Sequence, residues 1–174
     1  MRKVRALVVG ASDLGTACVL RLVRAGIKAV ILEHDCPLDI YHSRSFSSAV
    51  FSGSKTIDGI TAKTYARALD ESNIQGDTTL SGFVDYTLQN REVPIVLASD
   101  KENIKRIAFN YIIISDAALF DELPQNLNES ARLIGFHKTI NTGKFSYTVC
   151  NALNFFGRVF YPQISPVSPG DKNS

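Results

Sequence analysis

The feature that most constrains this chain lies in its first 33 residues, where an apolar run, a glycine-bounded turn, an amphipathic stretch and a second apolar run follow one another without spacers. Val4 to Val9 is continuous, rich in β-branched residues and closed by Gly10, as expected of a strand buried on both faces of a parallel sheet. Asp13 is placed to cap a helix running to about Ala25. Leu14, Ala17, Cys18, Leu22 and Ala25 recur along it at helical spacing, and Gly26 supplies the stop. Ala29 to Leu32 reads as a second strand ending at Glu33. Strand, helix and strand in this order imply a right-handed parallel crossover.

The turn between strand and helix reads Gly10-Ala11-Ser12-Asp13-Leu14-Gly15. In a dinucleotide-binding turn the first glycine makes the bend, the second lets backbone approach the pyrophosphate, and the third permits close helix–strand packing. Gly10 and Gly15 hold the first and third places, and Ser12 holds the second, where its hydroxyl could bond a phosphate oxygen. Leu14 belongs to the same cradle, whose helix-terminal amides and dipole attract phosphate. Glu33 stands where an acidic residue would bond a ribose 2′-hydroxyl and repel a 2′-phosphate, so NAD is the expected cofactor rather than NADP. Asp13 places a negative charge at the mouth of that cradle.

Beyond Glu33 the stretch Asp35 to Gly53 is polar and broken, with a short helical piece expected inside it. Lys55 to Ala62 carries an Asp58-Gly59 turn signal and reads as a hairpin. A helix or helix–loop pair, interrupted near Gly76, resumes from Thr79 to Gln89. Pro94 to Leu97 and Tyr111 to Ile114 are further strands, with a short helix over Lys101 to Ala108 between them. Leu133-Ile134, Phe145 to Val149 and Arg158 to Tyr161 continue the β pattern. The expected fold is therefore α/β: a Rossmann-like, mostly parallel sheet with helices on both faces and small β-rich additions in the middle and C-terminal part. Residues 1–161 form one domain in this reading, and the Pro- and Ser-rich residues 162–174 a disordered tail.

Composition narrows the function classes. A net charge of +2, with Lys and Arg scattered, argues against nucleic acid as a partner. The apolar run before Gly10 is too short for a secretory leader or a membrane span. Three cysteines, Cys18, Cys36 and Cys150, with no metal-type spacing, point to a reducing cytoplasm. His34, His42 and His137 are too dispersed to define a metal site, and His34 reads as a solvated loop residue.

The run Gly10-Ala11-Ser12-Asp13-Leu14-Gly15-Thr16-Ala17, then Arg21-Leu22 and Arg24-Ala25-Gly26, resembles the YqeB-type accessory proteins of the selenium-dependent molybdenum hydroxylase system, which begin G-A-G-D-L-A-T-G followed by R-L-x-R-A-G. The similarity continues through Glu33 and Pro37 into Ser45-Phe46 and Ala49-Val50-Phe51, against V-S-F-x-E-A-V-Y in that family, and into Gly59-Ile60-Thr61-Ala62, against E-G-V-T-A. Asp116-Ala117-Ala118-Leu119 resembles its D-A-x-L-A-K segment, and Gly157-Arg158-Val159 its G-R-V. The family's paired arginines before V-S-F are Tyr41 and His42 here, its acidic residue before A-V-Y is Ser48, and the lysine after D-A-x-L-A is absent. Two arginines fewer beside a phosphate turn weaken the clamp for an anionic ligand. The resemblance implies an accessory role in molybdenum hydroxylase maturation, with a maturation partner and a bound dinucleotide or other phosphorylated small molecule.

Two further groups belong to the expected ligand edge. Arg44, in the serine-rich loop with His42, Ser45 and Ser47, could restore part of the missing positive charge. Asp116, at the end of a central strand, could contact the ligand or act as a general base, although a single Asp there more often caps a helix. One alternative is an NAD-dependent dehydrogenase of a small cofactor precursor, with Asp116 or His42 as its acid or base. Another is a non-catalytic scaffold that binds a partner or its own copy as a homodimer, with Val19 and Leu20 as apolar residues off the inner helix face.

Overall fold

The computed structural model describes residues 4–38, 43–65, 79–123, 127, 131–135 and 148–149. Among the described residues eight strands form one sheet: β1 (Arg5–Val9), β2 (Lys28–Glu33), β3 (Ser54–Ile57), β4 (Ile60–Thr64), β5 (Val93–Leu97), β6 (Tyr111–Ile114), β7 (Arg132–Gly135) and β8 (Thr148–Val149). Their order is β3-β4-β5-β2-β1-β6-β7-β8, and every pairing is parallel except β3 with β4. The run β5-β2-β1-β6-β7-β8 has the 3-2-1-4-5-6 order of a doubly wound sheet. The fold is a Rossmann-like α/β fold, as the alternation of strands and helices implied. The hairpin lies in the main sheet as an antiparallel edge, and β7 and β8 extend its parallel part.

The sheet is sandwiched because its strands alternate between two cores. On one face Leu7, Val9, Val30, Leu32, Val96, Ile112 and Ile114 meet α3 (Leu80–Gln89) through Leu80, Phe83, Val84 and Leu88. The same core takes in Ile104 from a 3-10 segment over Ala98–Arg106, and Leu119 and Phe120 from α4 (Ala117–Asp121). On the other face Val8, Ala29, Ile31, Ile95 and Ile113 pack against α1 (Asp13–Arg24) and α2 (Ala49–Ser52), with Phe46 completely buried. Strands with apolar residues on both faces bury both, so β1 and β2 have almost no polar position to spare.

Local chemistry sets the ends of the elements. Past α1, Gly26 at φ +77° donates to Val23 O at 3.0 Å, and Ile27 donates to Leu22 O at 2.9 Å, the paired bonds of a Schellman stop. Asp58 (φ +50°) and Gly59 (φ +76°) are both left-handed, which makes the β3–β4 link a two-residue turn of the type that matches strand twist. Thr79 caps α3 by accepting from the Gly82 N–H at 3.2 Å.

Three sequence expectations shift. The helix over Lys101–Ala108 is instead the 3-10 segment, which starts directly out of β5; only Ala98 and Ile104 are buried in it, too few for an α-helical stripe. The buried face of α1 runs through Gly15, Cys18 and Val19, while Ala25 is exposed. Val19 is fully buried and Leu20 packs on the same core, so neither presents an outer apolar surface. His42, the break near Gly76, His137, Cys150, residues 145–147 and 158–161 and the tail lie outside the described residues. Among the described residues no helix is long and apolar enough to cross a membrane.

Phe83 is fully buried between α3 and the sheet, whereas Tyr86, one turn on, is 44% exposed. Phe83→Ala is expected to lower the unfolding free energy by about 3–5 kcal/mol. Tyr86→Ala should stay within about 0.5 kcal/mol of the parent, both read from denaturant midpoints.

Candidate functional site

In an open α/β sheet ligands bind beyond the carboxyl ends of the strands, where the winding reverses. Here the chain leaves β1 for β2 and β5 on one side, then returns to β6 on the other, so the reversal lies between β1 and β6. The turn Gly10–Gly15 opens at that point. Gly10 adopts φ +87°, and a Cβ added to it would stand 2.7 Å from Asp116 Cβ. A Cβ on Gly15 would come within 2.0 Å of the Gly10 carbonyl oxygen and 2.7 Å of Ser115 Oγ. The two glycines thus make the bend and the helix–strand contact that the sequence pattern assigns to them. Gly10 also donates to Leu32 O at 2.8 Å, and Ser115 Oγ donates to Val9 O and Gly10 O at 2.8 and 2.9 Å.

The helix start falls one residue earlier than its sequence suggested. Thr16 N–H donates to Ser12 O at 2.8 Å, which makes Ser12 the cap position and Asp13 the first helical residue. The Ser12 hydroxyl forms no capping bond and is exposed. Asp13 is exposed too, and its carboxylate takes none of the helix amides. Among the described residues the N–H groups of Ser12, Asp13 and Leu14 meet no acceptor. They form the donor row expected at an uncapped helix N-terminus.

Glu33 is neither a solvated strand end nor open to the crevice. It is 3% exposed. Its Oε2 accepts from Ala11 N–H at 2.7 Å and from the Ser47 hydroxyl at 2.8 Å, and its Oε1 accepts from His34 N–H at 2.8 Å. Three donors compensate the burial of a carboxylate that would otherwise be costly. The segment that closes over it is a strap, Ser45-Phe46-Ser47, the last two in a single 3-10 turn. Ser45 Oγ donates to Ala11 O at 3.0 Å, Ser47 N–H approaches the same oxygen at 3.3 Å, and Phe46 N–H donates to Thr16 Oγ1 at 2.9 Å. Thr16 Oγ1 in turn donates to Ala11 O at 2.8 Å. Ser45 and Ser47, which the sequence places in the loop at the expected ligand edge, are committed to the turn itself. Thr16 and Ser115 also hold the turn, and their sequence signal is no more than small hydroxyl residues at buried positions.

Asp116 caps α4, accepting from Leu119 N–H at 3.1 Å through Oδ1. Its Oδ2 lies 3.2 Å from His34 Nε2, so His34 is paired across the end of β1 rather than free in a loop. Asp35 accepts from the Ser99 hydroxyl at 2.6 Å and from Ser99 N–H at 3.1 Å, tying the end of β2 to the end of β5. Arg44 directly precedes the strap, is exposed, and has no ion-pair partner among the described residues. Of the sequence-derived site residues, Gly10, Ser12, Asp13, Leu14, Gly15, Glu33 and Asp116 therefore converge on one sheet edge, with Arg44 beside them. Cys18 is buried and Cys36 exposed, and neither is in a disulfide. Among the described residues no group of three His, Cys, Asp or Glu side chains could hold a metal ion.

Strand order, glycine turn and helix N-terminus at the switch point define a Rossmann-like α/β protein. Comparison with known proteins adds one relationship. A stretch of 54 residues, 31% of the chain, is 41% identical to a protein described as uncharacterised protein YqeB from Escherichia coli (strain K12). The match spans about a tenth of that relative's length. It establishes a YqeB-like relationship over that stretch. No family model matches the chain.

The geometry makes two substitutions informative. Gly15→Ala forces the helix away from β1 and should cost about 1–3 kcal/mol or more. Glu33→Gln keeps one oxygen that can accept from Ala11 and Ser47 but turns its NH2 group toward the His34 N–H, leaving that donor unmet, with an expected loss of about 1–3 kcal/mol. Chemical denaturation of both variants measures these effects.

Proposed function

We propose that this chain binds a phosphorylated small molecule of the dinucleotide class, with NAD as the reference ligand, at the turn between β1 and α1. The observation that carries the proposal is the row of unbonded N–H groups at Ser12, Asp13 and Leu14, at the start of a 12-residue helix and at the switch point of the sheet. Oriented amides and the helix dipole together favour an anion there. The exposed Ser12 hydroxyl and the unpaired Arg44 add a donor and a positive charge. Asp13 and Asp116 oppose a highly charged ligand, so a diester pyrophosphate suits the site better than a free triphosphate.

The biological setting in this proposal is an accessory role in molybdenum hydroxylase maturation in the cytoplasm. Its support is the ordered series of family-like segments from Gly10 to Val159, together with the YqeB-like stretch.

Thermal unfolding of the purified protein with NAD, NADP or FAD tests binding. A ligand at a hundredfold excess over its dissociation constant should add about 2.7 kcal/mol of stability. A melting curve that none of the three displaces would refute the proposal.

A further inference from the structure

Dinucleotide-binding units commonly place a carboxylate at the end of the second strand to take a ribose hydroxyl. Glu33 occupies that position in sequence, but the structure uses it differently. Both of its oxygens are engaged by donors of this chain: Ala11 N–H and the Ser47 hydroxyl on Oε2, His34 N–H on Oε1. A carboxylate has about four acceptor sites. The remaining one is of little use to a ligand, because the side chain is 3% exposed. The group covering it is also fixed. Ser45 and Ser47 both bond the Ala11 carbonyl, Phe46 bonds Thr16, and the Phe46 ring is completely buried. A ribose could reach Glu33 only by displacing Ser47, which would release several of these bonds together and expose an aromatic side chain.

We infer that Glu33 is a positioning residue of the turn, and that the site takes phosphorylated ligands without reading the 2′-position of a ribose. The inference rests on the phosphate-binding reading proposed above and narrows it. It replaces the sequence expectation that Glu33 favours NAD and repels NADP. The carboxylate holds Ala11 N–H inward. The neighbouring amides of Ser12, Asp13 and Leu14 are left as the donors that face a ligand.

Titration calorimetry of the full chain with NAD and NADP, with inorganic pyrophosphate as a ribose-free probe, tests the inference. The two dinucleotides should bind the wild type with dissociation constants within about threefold of each other. Glu33→Gln should weaken both by the same factor and leave their ratio unchanged. A preference for NAD of tenfold or more that collapses in Glu33→Gln would overturn the inference while leaving phosphate binding intact. Absence of any binding would instead remove the proposed function. In that case amide exchange in the ligand-free protein decides the positioning role: Ala11 N–H should be protected in the wild type and lose at least about tenfold of that protection in Glu33→Gln. Glu33→Leu fills similar space with no acceptor for the Ala11 N–H and supplies the same reading if Glu33→Gln does not fold. Unchanged Ala11 protection in the variant that folds would refute the positioning role.

Discussion

The contact between the Glu33 carboxylate and the Ala11 amide, 2.7 Å long and sealed from water, is the constraint on which the edge of this sheet depends. A buried carboxylate must be met by donors, and the three available are the turn, the residue after β2 and the strap. Once these are in place, the positions of the neighbouring groups follow. The Ala11 carbonyl faces Thr16, Ser45 and Ser47, the strap lies down with Phe46 in the core under it, and α1 starts at Ser12 with its first amides unbonded. The shape of the candidate ligand site is therefore a consequence of how one charge is compensated in the interior.

The glycines act on the same geometry from the steric side. Gly15 must lack a side chain because α1 passes within van der Waals contact of the Gly10 carbonyl, and Gly10 must be left-handed to turn β1 under Asp116. These are the two glycine functions that a dinucleotide turn shares with any tight strand–helix junction. What gives the turn its candidate role is its place at the reversal of strand order, together with donors that the protein itself does not use.

Much of the fold was legible because it is encoded by short-range chemistry. The apolar run ending at Val9, the stop at Gly26, the Asp58-Gly59 turn and the Tyr111–Ile114 strand each carry their instruction within a few residues. The site was legible as a set of positions and less so as a set of contacts. Glu33 was placed correctly at the end of β2, yet its burial depends on Ser47, 14 residues on, and no periodicity signals that pairing. The His34–Asp116 pair joins residues 82 apart in sequence, brought together only because β2 and β6 flank β1. The buried face of α1 likewise depends on a contact outside the helix. Gly15 packs against the Gly10 carbonyl and Val19 is buried one turn on, while Ala25 lies past the last helical residue as the exposed C-cap.

In the proposed function the protein keeps one amide of the turn, that of Ala11, for itself and offers the next three to a ligand. Backbone chemical-shift mapping during a titration with NAD tests this directly. Shifts at Ser12, Asp13 and Leu14 should grow to saturation, while the Ala11 amide and the Ser45–Ser47 segment stay where they are. Saturating shifts at Ala11 and Ser47 without shifts at Ser12 to Leu14 would contradict it.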